Sequence, residues 1–402
     1  MQFDVIIIGA GPAGATTALL LAQAGWSVAI VEKKTFPRRK VCGEFISATS
    51  LPLLEKLGIA DFYLEKGGPQ VKRVGFYALE HILTAAMPAA NNAQSHWGRA
   101  LGREHLDTLL LQMAQQAGAT VWQPWELVTL HKSDNTFHAT LTANEASETI
   151  SARIAIMANG SWERSLDTAK LPAKDNDLLA FKAHFTQSNL TPDLMPLLAF
   201  PGGYGGMVNT DTRRVTLSCC VRRDVLLKTR RDYPGFAAGE AVLQHITRHN
   251  RGVRMALNEA VREASWLSAG PIRPGIREGY KEGIFYVGNH AGEAHPVVAE
   301  GISMALQSGW LLAQALLKHR GDVAAAGAIY SKQWRSHFAT RIHAASVFAH
   351  YAMLPWAVNA TIPILKLFPV ILTLGAKLSG KIKQVVPATS ITPVASEMEN
   401  TI

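Results

Sequence analysis

The sequence predicts an α/β protein with two lobes and a helical C-terminal region, on three observations. The chain opens on a β-branched run that meets a glycine-rich turn, "FDVIIIGAGPAGA". After "MANGS" (157–161) it changes to β-formers in strand-sized lengths, such as "LAFKAHFTQ" and "RRVTLSCCV". "SAGPIRPG" then leads into a late strand, "GIFYVGN", that returns the chain to the first lobe. Both lobes are therefore discontinuous: residues 1–70, 96–168 and 276–330 form the first, and 71–95 and 169–275 the second. Residues 331–385 form a helical apolar region, and 386–402 a polar, flexible tail.

The chain has 402 residues and a mass of 43.6 kDa, enough for a large buried core. Apolar residues make up 48% and charged ones 18%, yet no clean uncharged span of helical character reaches transmembrane length. The formal charge of +9 favours acidic partners, such as phosphorylated ligands or anionic lipid surfaces. Cys42, Cys219 and Cys220 show neither metal spacing nor a disulfide framework, so a reducing compartment is expected. The amino terminus lacks a basic region followed by a cleavage site, so a cytoplasmic location is expected, with a membrane-surface option. Arg222, Arg223, Arg230 and Arg231 form a basic cluster without a nucleic-acid reading module, so nucleic acid is not an expected partner.

Val5–Ile8 suits a strand covered on both faces. Gly9 then permits a tight turn, Gly11 lets backbone approach a pyrophosphate, and Gly14 permits close helix packing. Ala13 belongs to the helix start, whose free amides face negative phosphates. The helix runs to about Gln23, and "SVAIVE" ends a second strand at Glu32, placed to accept hydrogen bonds from an adenosine ribose, with Lys33 beside it. Together these segments describe a Rossmann-like dinucleotide site, which by itself does not choose between NAD and FAD.

Further segments carry a resemblance. "KVCGEFIS" (40–47) resembles the loop after the second strand in the geranylgeranyl reductase branch of FAD-dependent oxidoreductases, relatives of the single-component (class A) flavin monooxygenases and the flavin-dependent halogenases. Arg103, Leu106 and Asp107 are similar to that superfamily's arginine, leucine and aspartate before a helix and strand. "ARIAIMANGSWERS" resembles its strand and Asp-Gly pair, here Asn159 and Gly160. "IFYVGNHAGEAHPVVAEGISMALQSG" resembles its late Gly-Asp motif, here Gly288 and Asn289, with the helix that follows. The resemblance covers the chain to roughly residue 330 and implies FAD, with NAD(P)H as transient reductant. The two asparagines replace aspartates, keeping an acceptor oxygen while losing the charge.

By the same resemblance, Gly288, Asn289 and Gly292 lie against the ribityl chain and pyrophosphate, Pro296 starts a turn beside the ring, and Gly301 and Ile302 bring a helix start to the flavin. His295, directly before that proline, is a ring-face candidate or a hydrogen-bonded loop histidine. His290, Glu293, His295 and Glu300 lack the helical spacing of a zinc hydrolase motif, so no metal is expected. In the loop after Glu32, one guanidinium, Arg39, is expected at the pyrophosphate. Cys42 is read as packing or as a functional thiol near the ring, and Gly43 and Glu44 as a loop over the flavin, with Glu44 a substrate-side acid.

In the second lobe, Phe200–Asn209 reads as a turn feeding a strand and about Phe236–Arg248 as a helix, and the layer is expected to supply an apolar substrate cavity. The geranylgeranyl reductase branch lines its lipid cavity with Tyr-x-Trp-x-Phe-Pro. Tyr204 matches the first position and is a candidate substrate contact, while Gly206, Val208 and Asn209 replace the rest and leave room for a ring or carrier arm. The halogenase pattern Trp-x-Trp-x-Ile-Pro is absent.

Near the C-terminus, "IYSKQWRSHFATRIHAASVFAHYAMLPW" reads as a helix. Asn359, Pro363, Lys366 and Pro369 interrupt the apolar stretch after it, which is expected to pack over the substrate lobe or, aided by Lys377, Lys381 and Lys383, to enter a membrane interface. The leading functional expectation is a single-component NAD(P)H-dependent monooxygenase that hydroxylates or epoxidises an apolar or aromatic small molecule through a C4a-hydroperoxyflavin. The alternatives are a reductase of carbon–carbon double bonds in an isoprenoid or other apolar substrate, and a non-catalytic flavin-binding protein.

Overall fold

A computed structural model describes residues 1–91, 95–160, 172–381 and 385–386. The expected tail from 387 onward, Lys383, and the stretch 161–171 that carries the expected lobe boundary lie outside the described residues.

The first strand, Gln2–Ile8, owes its central place to being apolar on both faces. Val5 and Ile7 pack among helices, and the alternating Ile6 and Ile8 pack beneath a β-meander. It pairs in parallel with Val28–Val31 on one side and with the second half of Ala146–Met157 on the other. Thr120–Trp122 extends the sheet past Val28–Val31, and the late strand Ile284–Tyr286 adds in parallel at Ala155–Met157. This is the predicted return of the chain. The first half of Ala146–Met157 instead runs antiparallel to Thr136–Ala143, which pairs with Glu126–Ser133. That meander covers one sheet face, and the helices Pro12–Gln23, Arg103–Gln116 and Gly301–Lys318 cover the other.

The second sheet contains Leu178–Thr186, Val215–Arg222, Gly203–Asn209, Leu194–Phe200, Arg73–Ala78 and His81–Ala86 in that spatial order. Phe200–Asn209 is thus the end of one strand, a turn, and a full antiparallel partner. One face of this sheet packs against Arg223–Asp232, Ala238–His249 and Arg251–Ala256, and the other looks toward the first lobe. Cys219 and Cys220, being neighbours on a strand, point to opposite faces.

The long helix Val323–Ala352 is followed by Pro355–Leu367 and Val370–Ala376. Pro369 separates the last two of these helices, and Asn359, Pro363 and Lys366 lie inside Pro355–Leu367. Pro363 is exposed, where water can satisfy the carbonyl its ring leaves unbonded. Val358, Ile362, Leu365, Leu372 and Ala376 pack with Val74 and Phe76 of the second sheet, as the packing expectation holds. Among the described residues no single helix is long and apolar enough to cross a membrane.

Gly14 shows how tightly the nucleotide helix seats on its turn: a Cβ there would lie 2.0 Å from the Gly9 carbonyl oxygen and 3.0 Å from Ala158 Cβ. Gly14→Val is expected to destabilise the protein by about 1–3 kcal/mol through overpacking. Gly321→Ala, where an added Cβ meets nothing within 4 Å, should leave the thermal midpoint unchanged in the same calorimetric scan.

Candidate functional site

The site lies at the carboxyl ends of the parallel strands, where the turn after Ile8, the end of the strand at Met157 and the turn after Tyr286 converge. Gly9 adopts φ +106°, and a Cβ on it would lie 2.7 Å from Asn159 Cα. Gly288 adopts φ +62°, and a Cβ there would meet Ala13 Cβ at 2.9 Å. Gly288 donates its N–H to Ser308 Oγ at 3.1 Å, fixing this turn to the late helix. Gly11 caps the nucleotide helix and stays open; the nearest group to its missing side chain is Arg103 Nη2 at 3.7 Å. First-turn amides with no intrahelical partner, beside a guanidinium, make an anion seat.

Glu32 ends its strand with its carboxylate turned back to this seat. It accepts from Ala10 N at 3.1 Å and from Lys34 N at 2.9 Å, and pairs with Arg38 at 3.4 Å. Arg38 is therefore the cation beside this acid. Arg39 is drawn to Glu104 at 3.3 Å and Glu263 at 3.0 Å, although it still lines the cleft. Lys33 points to Glu126 at 3.9 Å and is outside the cleft lining. Arg103 is held in two parallel bonds to Asp107, at 2.7 and 2.6 Å. Burial works against its charge, but Asp107 outweighs burial and raises its pKa, keeping a fixed cation over Gly11.

From Glu32 a single cleft of about 410 Å³ runs past Gly11, Cys42–Glu44 and Asn159–Gly160 to the second sheet at Tyr204. Gly43 and Gly301 border open space within it, and Pro296 and Ile302 line its middle. Pro296 opens a short 3-10 turn, and Gly301 begins the helix Gly301–Lys318, as the sequence predicts. Gly292 departs from its expected place. It lies outside the cleft lining, where a Cβ would strike Trp334 at 2.3 Å, so this glycine serves the packing of the long helix. Asn159 and Asn289 both border the cleft with side chains already engaged: Asn159 Oδ1 meets His290 Nδ1 at 3.0 Å, and Asn289 Nδ2 donates to Glu293 at 3.1 Å. Burial, reinforced by Arg277, lowers the pKa of His290 to about 4, so a neutral histidine faces a neutral amide.

Two residues singled out separately come together at the far end. Tyr204 OH and His295 Nδ1 lie 2.9 Å apart, and both residues line the cleft. Burial, with His350 adding repulsion, lowers the pKa of His295 to about 4, so the ring is neutral at pH 7. Burial raises the Tyr204 phenol well above its ordinary value, and Cys220 beside it is pushed up to about 12 by the same cause. The pair is thus a neutral donor and acceptor. His290, Glu293, His295 and Glu300 turn to four different partners, Asn159, Asn289, Tyr204 and Lys381.

Cys42 Sγ accepts the Glu44 N–H at 3.4 Å and borders the cleft near Arg103. Glu44 differs from its expected role as a substrate-side acid. It is fully buried at φ +63°, with its carboxylate bonded to Lys182, to His184 Nε2 at 2.9 Å and to Thr216 Oγ1. Burial alone would raise its pKa, but Lys182 and then His184 overcome this and hold it far below the usual carboxylate range. It stays ionised and ties the cleft loop to the second sheet. The cue in the sequence is the spacing of Lys182 and His184: two polar residues two apart in "LAFKAHFTQ" share one face of an otherwise apolar strand.

A largely parallel sheet whose glycine turns open on one cleft shared with a second sheet defines a dinucleotide-binding protein. The chain belongs to the FAD binding domain family, which matches residues 2–343. It is 27% identical over 158 residues to the menaquinone reductase of Mycobacterium tuberculosis, covering 39% of this chain and only 38% of that relative. It is 26% identical over 325 residues to digeranylgeranylglycerophospholipid reductase 2 of Methanopyrus kandleri, covering 77% and 75% of the two chains. The fold matches that of the myxobacterial chondrochloren halogenase CndH with a TM-score of 0.73 at 18% identity, over 96% and 94% of the chains.

The residues present fit FAD. Glu32 would take the ribose and Gly11 with Arg103 the pyrophosphate, and the open borders at Gly43 and Gly301 leave space for the ring. Glu44→Gln leaves Lys182 buried without its counter-ion and is expected to cost about 3–5 kcal/mol at pH 7. Because the folded-state pKa of Glu44 is depressed, its stabilisation is complete above the ordinary value of 4.5 and is lost as pH falls below it. Urea unfolding from pH 7 to pH 3 should therefore show a shallower acid decline for Glu44→Gln than for the wild type.

Proposed function

We propose that this FAD-dependent oxidoreductase is a single-component, NAD(P)H-dependent monooxygenase acting on a compact apolar or aromatic molecule. The observation that carries this reading is the wall of the cleft opposite the flavin seat. On strand Gly203–Asn209, the positions that face the cleft with Tyr204 are Gly206 and Val208, and Met195, Leu197 and Ala180 complete an apolar chamber. A wall so short of bulk next to a site shared with a dinucleotide suits a ring better than a long chain. FAD supplies the hydride acceptor and, once reduced, the oxygen chemistry.

The chain's own groups bind, orient and exclude water. With FAD bound, Arg103 and the amides around Gly11 would hold the pyrophosphate, the helix start at Gly301 would direct its amides at the ring, and the apolar walls would keep water from the reacting atoms. Tyr204 keeps its phenol proton and shares a hydrogen bond with neutral His295 Nδ1, so the pair orients a polar group of the substrate at the far end of the cleft. The NAD(P)H needed for reduction docks transiently in this reading.

Reduction of a carbon–carbon double bond is the second reading, favoured by the likeness over three quarters of the chain to a digeranylgeranylglycerophospholipid reductase. Turnover of candidate substrates under ¹⁸O₂, with product mass measured, separates the two. Monooxygenation places one labelled oxygen in product and stops without O₂; a product gaining two hydrogens anaerobically overturns it. Tyr204→Phe and His295→Ala are each expected to lower kcat about 100-fold while FAD content stays unchanged. Unaltered rates and pH profiles would remove the pair from the chemistry.

A further inference from the structure

The end of the chain carries an apolar surface that the flavin site does not use. Pro355–Leu367 and Val370–Lys381 meet at a bend of 111°. One side of this hairpin is buried on the second sheet through Val358, Ile362, Leu365 and Leu372. The other side is exposed: Trp356 is 67%, Leu367 72%, Phe368 53%, Val370 57% and Leu378 68% accessible, with Ile364 and Leu374 also exposed. The bend itself, Leu367 to Val370, forms the apolar tip. Single exposed apolar side chains are ordinary, but a contiguous set on one bent element marks a contact surface.

Charge indicates the occupant. From Val323 to Lys381 the chain has no aspartate or glutamate and exposes Lys332, Arg335, Lys366 and Lys377. Arg341 and Lys381 are instead buried against Glu300, so Lys381 does not reach the interface as expected. Lys366 and Lys377 are exposed and flank the apolar tip on either side of the bend. Glu80, on the adjoining β-hairpin, is tied to Arg254 by bonds of 2.6 and 2.7 Å. Apolar side chains at a tip with ammonium groups at its base match the acyl and headgroup layers of an anionic leaflet.

The hairpin is also joined to the flavin cleft. Lys381, at its end, is buried and donates to the carbonyls of Val298 at 2.9 Å and Ala299 at 3.2 Å and to the Glu300 carboxylate. Those residues connect the Pro296 turn to the helix that begins at Gly301. An element resting on a bilayer would therefore stand directly behind the cleft loop.

We propose that the Pro355–Lys381 hairpin docks the protein on an anionic lipid surface, lying in the interface without spanning it. This surface is independent of the reaction class, since docking requires no turnover. The test is flotation of the full FAD-loaded chain with vesicles of phosphatidylcholine alone or mixed with phosphatidylglycerol. The chain is expected to float with the mixed vesicles and to be released by salt. Lys366→Gln and Lys377→Gln should each reduce the partition about fivefold, and Leu367→Ser/Phe368→Ser should abolish it, with FAD content and thermal midpoint unchanged. Because the two lysines are exposed, their variants keep the test valid even if the serine variant folds poorly. Absence of wild-type flotation, or equal flotation of the lysine variants, overturns the proposal. So does a concentration-dependent dimer lost in Leu367→Ser/Phe368→Ser without vesicle binding by the wild type, which would assign the surface to a second copy.

Discussion

At the mouth of the parallel sheet three backbone segments cross at distances that leave no room for side chains. The turn at Gly9 lies against Ala158–Asn159, the turn at Gly288 against Ala13, and Gly14 on the carbonyl of Gly9. Each approach needs a residue without Cβ, and at Gly9 and Gly288 also one that accepts a left-handed backbone. The crossings bring the nucleotide helix, the end of the central strand and the late helix to one place. The amides, Arg103 and the open border at Gly301 consequently face a common cleft. Moving any one crossing by an ångström would separate the anion seat from the region assigned to the ring.

A second constraint joins this seat to the opposite wall. Glu44 sits in the cleft loop, while Lys182, His184 and Thr216 belong to adjacent strands of the second sheet, with His184 directly opposite Thr216. A buried carboxylate with a left-handed backbone is costly, and it persists because a cation and two further hydrogen-bonding groups surround it. Such a cluster is weak evidence for stability as such. Its value here is positional, since it fixes the loop that carries Cys42 and Gly43 at one distance from Tyr204. The neutral pair of Tyr204 and His295 closes the far end, and Lys381 braces the loop between them from outside.

Much of this was legible in the sequence wherever a backbone requirement forces a residue type. The glycines at 9, 14 and 288 each answer a local need, and local needs leave local patterns. The discontinuous sheet was legible for the same reason, through the strand that follows "SAGPIRPG". What spacing could not supply was partnership across the fold. Nothing local shows that Arg38 and not Arg39 faces Glu32, since both precede the same loop and Glu104 and Glu263 are remote in sequence. Glu44 looked like a substrate-side acid because its side-chain partners Lys182, His184 and Thr216 lie more than a hundred residues away. Gly292 looked like part of a phosphate loop because the Trp334 that requires it lies on a distant helix. Pro363 interrupts the apolar stretch in sequence, yet the exposed face of a helix accommodates it.

A crystal structure of the FAD-loaded protein tests most directly whether one cleft holds the dinucleotide from Glu32 to the Tyr204 wall. The expected structure has an adenosine ribose hydrogen-bonded to Glu32, a pyrophosphate between Gly11 and Arg103, and an isoalloxazine ring between the Pro296 turn and strand Gly203–Asn209. A ring located outside that space, or a pyrophosphate bound away from Gly11, would contradict it.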